Sequence, residues 1–335
     1  MTAVPLRRDL SSLDDILSSM HRRINALELD LRGMTVVTEA ATGAYACTAP
    51  IAAMAGARVL AVARDTASHG RAEDAFAATQ ALADQAGVSS QITYTRDLAP
   101  DMLTSCDILT NSGHLRPITA SMIGHLPRAA VIALMFEAWE FREGDLDLAA
   151  CRQRGIRVAA VNECHPDIDV FSFLGPLCLR LLENAGSSLS GARIALLCDN
   201  PFAPFIQQTV TQAGATVTCF GDAHSVPPGP WDAIVVSLNP SANPVLDHQA
   251  LAALRAAAPS ARLAQFWGDI DREAAESLWP ADVWPRRAPK PGHMALLLSE
   301  LGHEPIVRLQ TGGLKAAELV FKLAPATPIP VASLL

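Results

Sequence analysis

The chain has 335 residues, of which 50% are hydrophobic and 18% charged, and its formal net charge is -8. This length suffices for about two domains that each bury a core, and the composition excludes extended disorder. The negative charge excludes a basic surface for nucleic acid or an anionic membrane, which favours small molecules or a second copy of the chain as partners. No apolar run reaches the roughly 18 residues of a membrane span and no signal peptide is recognised. Seven scattered cysteines indicate reduced thiols, so we expect a cytoplasmic protein.

An amphipathic pattern occupies the first 33 residues. From Asp9 to Leu31, apolar side chains recur at helical spacing with charged residues between them, which predicts a helix outside the first sheet. Such a helix either packs against its own domain or mediates dimerisation, and we expect a homodimer. Beyond it, strands and helices alternate as in a parallel α/β sheet. The predicted strands are 34–39, 58–63, 91–95, 107–110, 131–136 and 156–161.

The stretch Gly144–Asn200 joins two such domains. A short helix ends at Gly155, a buried strand follows, an apolar helix crosses over, and Arg193–Cys198 begins a second parallel sheet. The fold class is therefore α/β, with two doubly wound Rossmann-like domains, a cleft between them and an N-terminal helix. The predicted segments are the N-terminal helix at 1–33, the first domain at 34–166, the crossover helix at 167–190, the second domain at 191–311, and a returning helix with an extended tail at 312–335.

The end of the chain combines proline-rich segments with two helical patterns. Its prolines predict an irregular segment at 278–291, and the residues after it predict helices at His293–Leu301 and Gly313–Leu323. The pair Gly312-Gly313, followed by Lys315, opens the last of these helices. It either holds an anion or forms a hinge that returns the chain to the first domain.

The joint carries a recognisable pattern: Asp145-Leu146-Asp147-Leu148-Ala149, then Gly155-Ile156 and Val158. Together with the stretch from Asp107 to Met135, it resembles the first domain of D-2-hydroxyacid dehydrogenases, in the formate and glycerate dehydrogenase-like superfamily. The resemblance implies an oxidoreductase that moves hydride between NAD or NADP and a small carboxylate-bearing substrate. It also implies an acid/base histidine late in the chain, for which His293, after Pro291-Gly292, is the candidate. An alternative for His293 is a helix N-cap.

Cofactor contacts are expected at the carboxyl ends of the second domain's strands. The loop Cys198–Phe205 contains no glycine, so the glycine-rich fingerprint that lets a pyrophosphate approach the backbone is missing. Asp222 stands where a carboxylate accepts from a ribose hydroxyl, or is simply solvated. The predicted cofactor-binding residues are Asn200, Phe202, Asp222 and Asn239.

Polar residues also follow the strands of the first domain, where ligands of α/β sheets bind. Thr42 and Gly43 precede a predicted helix, and two interpretations are open. Either the free N–H groups of that helix bind an anion, or the two residues form a plain turn. The run Asn111-Ser112-Gly113-His114 orients a substrate carboxylate or carbonyl, or is an ordinary turn. We expect these six residues to bind substrate.

Two further residues are candidates for acid/base catalysis. Glu137 directly follows a buried strand, so burial should raise its pKa; the competing interpretation is a salt bridge with Arg116 or Arg142. His165 is a candidate general base. No metal is expected at Glu163-Cys164-His165, because adjacent side chains seldom converge on one ion.

Two other functions fit the same residues. A cofactor-free lyase or hydrolase would use the polar strand ends alone. A degenerate homologue would bind a ligand or partner without catalysis.

Overall fold

A computed structural model describes residues 12–67, 70–241, 243–322 and 332–334. The described chain divides into two compact units. Unit 1 contains the residues up to Val170 and those from Gly302 onwards, and unit 2 is Phe171–Leu301. The predicted fold class is confirmed in that each unit is a parallel sheet with helices.

Unit 1 begins with the amphipathic helix and continues as alternating strands and helices. Its strands are short and mostly buried, as parallel strands covered by helices must be. The helices are α1 (Leu13–Ala26), α2 (Thr48–Met54), α3 (Ala72–Gln85), α4 (Ala120–His125) and α5 (Leu148–Arg154). The strands are β1 (Thr35–Glu39), β2 (Arg58–Val62), β3 (Ile92–Thr95), β4 (Ile108–Thr110), β5 (Val131–Ala133) and β6 (Arg157–Val161).

The parallel strands of unit 1 lie in the order β6-β5-β4-β1-β2-β3. The chain starts in the middle of the sheet, runs to one edge, and then returns to fill the other side. The order reverses between β1 and β4, and such a switch point leaves a crevice outside the carboxyl ends of the strands. Glu39 and Asn111 lie at these ends.

Unit 2 repeats the architecture with five strands in the order β11-β10-β9-β7-β8, so its switch point lies between β7 and β9. Its helices are α6 (Leu174–Asn184), α7 (Ala203–Gln212), α8 (His248–Ala257) and α9 (Arg272–Leu278). Its strands are β7 (Arg193–Cys198), β8 (Thr216–Phe220), β9 (Ala233–Ser237), β10 (Arg262–Trp267) and β11 (Val283–Trp284).

The end of unit 2 differs from the prediction. Helix α9 was not predicted, and β11 lies in the segment expected to be irregular. The predicted helix His293–Leu301 is wrong: only Leu298–Leu301 forms a single 3-10 turn. The physical reason is a tertiary contact, because the N–H of Ala295 donates to the carbonyl of Phe266 in β10 at 2.9 Å.

The chain returns to unit 1 through α10 (Glu304–Lys322), and β12 (Ala332–Leu334) adds an antiparallel strand beside β6. The rest of the predicted extended tail lies outside the described residues. The predicted start of the helix at Gly313 is wrong, because it begins nine residues earlier, and Gly312 and Gly313 are buried within it. A Cβ at Gly313 would lie 2.5 Å from Met135 Sδ. The glycine pair therefore permits close packing on the sheet and neither opens the helix nor forms a hinge there.

Helix α1 packs against α10 within the chain. Ser19 Oγ donates to Glu304 Oε2 at 2.5 Å, and Arg23 pairs with Glu304 Oε1 at 2.7 Å. Arg308 donates to Glu304 Oε1 at 2.9 Å as well. Burial alone would raise the pKa of the Glu304 carboxyl, but these three donors outweigh it and lower the pKa to about 2. Glu304 is thus the charged centre of this helix pair.

Among the described residues, no helix is both long enough and apolar enough to cross a membrane.

Candidate functional site

The switch point of unit 1 contains a buried carboxyl group. Glu39 ends β1 and is 8% exposed. The backbone N–H of His114 donates to its Oε2 at 3.3 Å, and the N–H of Gly113 is also directed at it. Burial raises the pKa of Glu39 in spite of these donors and of nearby Arg116. The predicted substrate-binding run thus encloses the carboxyl group of Glu39.

Asn111, at the end of β4 beside Glu39, has a side-chain donor without a hydrogen-bond partner among the described residues. Its side chain is fully buried, and its Oδ1 accepts from Arg116 Nε at 2.9 Å. Its Nδ2 has no hydrogen-bond partner among the described residues. Leaving a buried amide N–H unpaired costs about 1–3 kcal/mol. Asn111 therefore leaves one buried donor unsatisfied at the end of β4 within the described chain.

The other members of the run stabilise the strand ends. Ser112 Oγ lies 2.7 Å from Thr110 Oγ1, which donates to Thr38 Oγ1 at 2.8 Å. The ring Nδ1 of His114 accepts from the backbone N–H of Arg64 at 3.2 Å, which leaves the proton of the neutral ring on Nε2. Both side chains therefore have structural partners.

Thr42 and Gly43 are exposed and form the turn after β1. Gly43 has a φ of 62°, and Thr42 makes no side-chain cap. The helix predicted to follow begins as a 3-10 segment at Gly43–Cys47, and α2 is only 7 residues long. The geometry is that of a plain turn, which was the alternative to an anion site.

Three carboxyl groups meet at the ends of β5 and β6. The backbone N–H of Glu163 donates to Glu137 Oε1 at 2.7 Å, and the Trp139 side chain also donates to Glu137. Burial raises the pKa of Glu137. Burial, together with the charge of Glu137, raises the pKa of Glu140 to about 7, and the pKa of Glu163 lies well above its usual value because of burial and the charges of Glu140 and Glu137. We call Glu39, Glu137, Glu140 and Glu163 the acidic edge.

The competing interpretation of Glu137 as a salt-bridge partner is wrong. Arg116 and Arg142 both pair with Asp145, at 3.6 and 3.2 Å. The two guanidinium groups also lie over the ring of Phe136, at 5.6 and 5.5 Å. Glu137 is therefore available as an acid or base.

Tyr45 was not predicted as a site residue. It is half-buried, and burial together with the negative charges of Glu39 and Glu163 raises its pKa to about 12. It thus lies near carboxyl groups from both halves of the acidic edge. The available signal was its position in the turn after β1, but sequence spacing gave no indication of its long-range neighbours.

Glu163, Cys164 and His165 diverge, as expected of adjacent residues. Glu163 is buried and Cys164 is exposed. Partial desolvation of the sulfur, together with the nearby charges of Glu137 and Glu163, raises the pKa of the Cys164 thiol to about 11. His165 Nδ1 accepts from the N–H of Asp167 at 3.3 Å. The proton of the neutral ring therefore lies on Nε2, which is a donor in that form.

In unit 2, the predicted acid/base residue His293 lies in the loop before the 3-10 turn and is half-buried. Its Nδ1 is 2.9 Å from the carbonyl oxygen of Pro291. A carbonyl only accepts, so Nδ1 carries the proton and Nε2 is free to accept one.

The predicted cofactor-binding residues of unit 2 are engaged in local structure. Asn200 Oδ1 accepts from the N–H of Phe202 at 3.1 Å, and Asn200 Nδ2 donates to the carbonyl of Ser237 at 2.6 Å. Phe202 is 2% exposed and stacks on Trp267 with ring centroids 5.0 Å apart. Both residues thus fix the turn between β7 and α7.

Asp222 and Asn239 are also occupied. Asp222 Oδ1 accepts from the N–H groups of His224 and Ser225 at 2.8 and 3.0 Å, so it caps its own turn. The N–H of Asn239 donates to Asp199 Oδ1 at 2.8 Å. With a carboxylate and no glycine at the turn after β7, the residues present do not fit the pyrophosphate of a dinucleotide bound there in the usual way.

No protein-family model matches this sequence, and no curated protein matches it. Solved structures do. A dipicolinate synthase from Bacillus halodurans is 12% identical, covering 87% of this chain and 99% of that one with a TM-score of 0.56. A D-lactate dehydrogenase from Treponema pallidum is 11% identical, with 90% and 99% covered and a TM-score of 0.56. The D-lactate dehydrogenase from Escherichia coli is 11% identical, with 89% and 99% covered and a TM-score of 0.52. At these identities the likeness establishes a shared fold.

Proposed function

We propose that this chain is an oxidoreductase that acts on a small carboxylate-bearing substrate, with NAD or NADP as its hydride carrier. The observation that carries the proposal is the fold shared over 90% of the chain with a D-lactate dehydrogenase. The resemblance of the Asp145–Val158 pattern to D-2-hydroxyacid dehydrogenases supports it independently. We further propose a cytoplasmic homodimer.

The switch point of unit 1 is the proposed substrate site. Asn111 Nδ2 is a buried donor with no partner in the described chain, which suits a substrate carboxylate or carbonyl oxygen. The nearby charge of Arg116 favours an anion there. Ser112, Gly113 and His114 complete the proposed binding loop at the end of β4.

The acid/base groups are Glu137, His165 and His293. Glu137 has a raised pKa, so it exchanges protons nearer neutral pH than an exposed glutamate does. In neutral His165 Nε2 carries the proton and can only donate it, whereas in neutral His293 Nε2 is the nitrogen that accepts a proton.

The test is nucleotide-dependent turnover. Purified protein is mixed with a panel of 2-oxo acids and millimolar NADH or NADPH, and nucleotide oxidation is followed by absorbance. The proposal expects oxidation that depends on both the protein and one oxo acid. Failure across the panel with both nucleotides would remove it.

A nucleotide-free lyase or hydrolase is the second candidate, and the misfit at the β7–α7 turn favours it. Four carboxyl groups with raised pKa values supply acid/base chemistry without a nucleotide. This candidate expects activity without added nucleotide that Glu137→Gln abolishes. Unchanged activity in that variant would count against it.

A further inference from the structure

We infer that the turn between β7 and α7 excludes phosphate groups, and that Asp199 is the residue that sets this exclusion. The inference rests on the proposed function only for the identity of the nucleotide. It assigns a specificity-determining role to a residue at the switch point of unit 2, where a dinucleotide-binding sheet would hold its pyrophosphate.

The turn between β7 and α7 offers few free backbone donors. A helix N-terminus holds phosphate through N–H groups that have no other partner. Here Pro201 and Pro204 have no N–H. The N–H of Phe202 goes to Asn200 Oδ1, and that of Ala203 is directed at the Cys198 sulfur. Of the four residues at positions 201–204, two have no N–H and the N–H of Phe202 is already bonded to Asn200.

The turn also carries a fixed negative charge. Asp199 is exposed, yet its Oδ1 accepts from the N–H of Asn239 at 2.8 Å and from Asn200 Nδ2 at 3.2 Å. These two contacts hold the carboxylate at the turn. A pyrophosphate placed there would meet a like charge that does not swing away.

The backbone of this turn does not adapt easily. Phe202 is 2% exposed, stacks on Trp267, and meets the edge of Phe171 at 5.2 Å between centroids. The turn is therefore anchored in the core of unit 2. Every residue from Asp199 to Ala203 carries a Cβ where a dinucleotide fingerprint has glycine.

Asp199→Asn is the sharpest variant, because it keeps the oxygen that accepts from Asn239 while removing the charge. Asp282→Asn is the control: Asp282 precedes β11, at the amino end of the same sheet, and is exposed. Calorimetric titration with NADH and with inorganic pyrophosphate should give a Kd weaker than about 1 mM for the wild type. Asp199→Asn should bind both about fivefold more tightly, and Asp282→Asn should match the wild type.

Wild-type binding of NADH or pyrophosphate tighter than about 1 mM would overturn the exclusion. An equal affinity of wild type and Asp199→Asn would overturn the role of Asp199. If the variant does not fold, the wild-type titration still decides the first point. Tight NADH binding leaves the oxidoreductase proposal standing, whereas weak binding without nucleotide-dependent turnover defeats that proposal and leaves the inference intact.

Discussion

The backbone N–H of Glu163 donates to Glu137 Oε1 at 2.7 Å, which ties the loop after β6 to the loop after β5. This contact brings the half-buried Glu137 next to the buried Glu163, and the charge of Glu137 opposes ionisation of Glu163. Clusters of this kind destabilise a fold at neutral pH, and they are typical of functional sites.

Glu163→Gln should stabilise the protein. The folded-state pKa of Glu163 is raised above its unfolded value, so its ionisation costs stability as pH rises through about 4.5, and the loss persists at higher pH. The variant should gain about 1–3 kcal/mol in free energy of unfolding at pH 8 and nothing near pH 4, measured by urea titration. Glu143→Gln, at an exposed position of the same unit, is the control. A gain that is the same at both pH values would contradict this account.

Glu304→Gln should have the opposite effect. The folded-state pKa of Glu304 is lowered to about 2, so its contribution is present above its unfolded pKa of about 4.5 and is lost as pH falls toward 2. We expect a loss of about 1–3 kcal/mol at pH 7 that vanishes near pH 2. A double-mutant cycle with Ser19→Ala should show coupling between the two residues. Additive effects would mean that the contact of α1 with α10 contributes little.

Gly175→Ala should destabilise unit 2. A Cβ on this residue of α6 would lie 2.5 Å from the carbonyl oxygen of Phe205 and 2.1 Å from Thr209 Oγ1, so α6 and α7 would have to separate. We expect a loss of about 2 kcal/mol or more by thermal or urea unfolding. Gly124→Ala is the matched control, because it lies within α4 and no atom lies within 4 Å of the position that its Cβ would take. It should be neutral or stabilising by about 0.5–1 kcal/mol; equal effects of the two substitutions would refute the packing argument.

Asn111→Asp should weaken substrate binding. The substitution keeps the oxygen that accepts from Arg116 but replaces the unpartnered donor with an acceptor and adds a negative charge. KM for an anionic substrate should rise about tenfold or more, with a smaller change in kcat. Asn162→Asp makes the same chemical change after β6 and should leave KM within about twofold. A similar rise in KM in both variants would mean that added negative charge at the strand ends, and not loss of the Asn111 donor, weakens substrate binding.

The fold was largely predictable because most elements carry local signals. The apolar runs of β1, β2, β6 and β7 and the glycines after short helices gave the alternation and the two-sheet class. Prediction failed where tertiary contacts determine the local structure. The N–H of Ala295 donates to the carbonyl of Phe266 and prevents a helix, and Gly313 is buried against Met135.

The candidate site was predictable only as a set of strand ends. Polar residues after β1, β4, β5 and β6 were visible in the sequence, and the raised pKa of Glu137 was expected from its position. Two features of the site depend on the strand order. They are the charged neighbours of Tyr45 and the enclosure of Glu39 by the run that was expected to bind substrate. That order is set by long-range packing, on which local sequence patterns carry no information. The catalytic and binding roles of these residues stay predictions.

The proposed oxidoreductase activity is tested most directly by following hydride itself. The protein is incubated with a 2-oxo acid that it reduces and with millimolar NADH deuterated at the transferable position. The mass of the product is then measured by mass spectrometry. The proposal predicts a 2-hydroxy acid that carries one deuterium, formed by the wild type and far more slowly by Asn111→Asp. Conversion of substrate without deuterium in the product would contradict it and favour the nucleotide-free reaction.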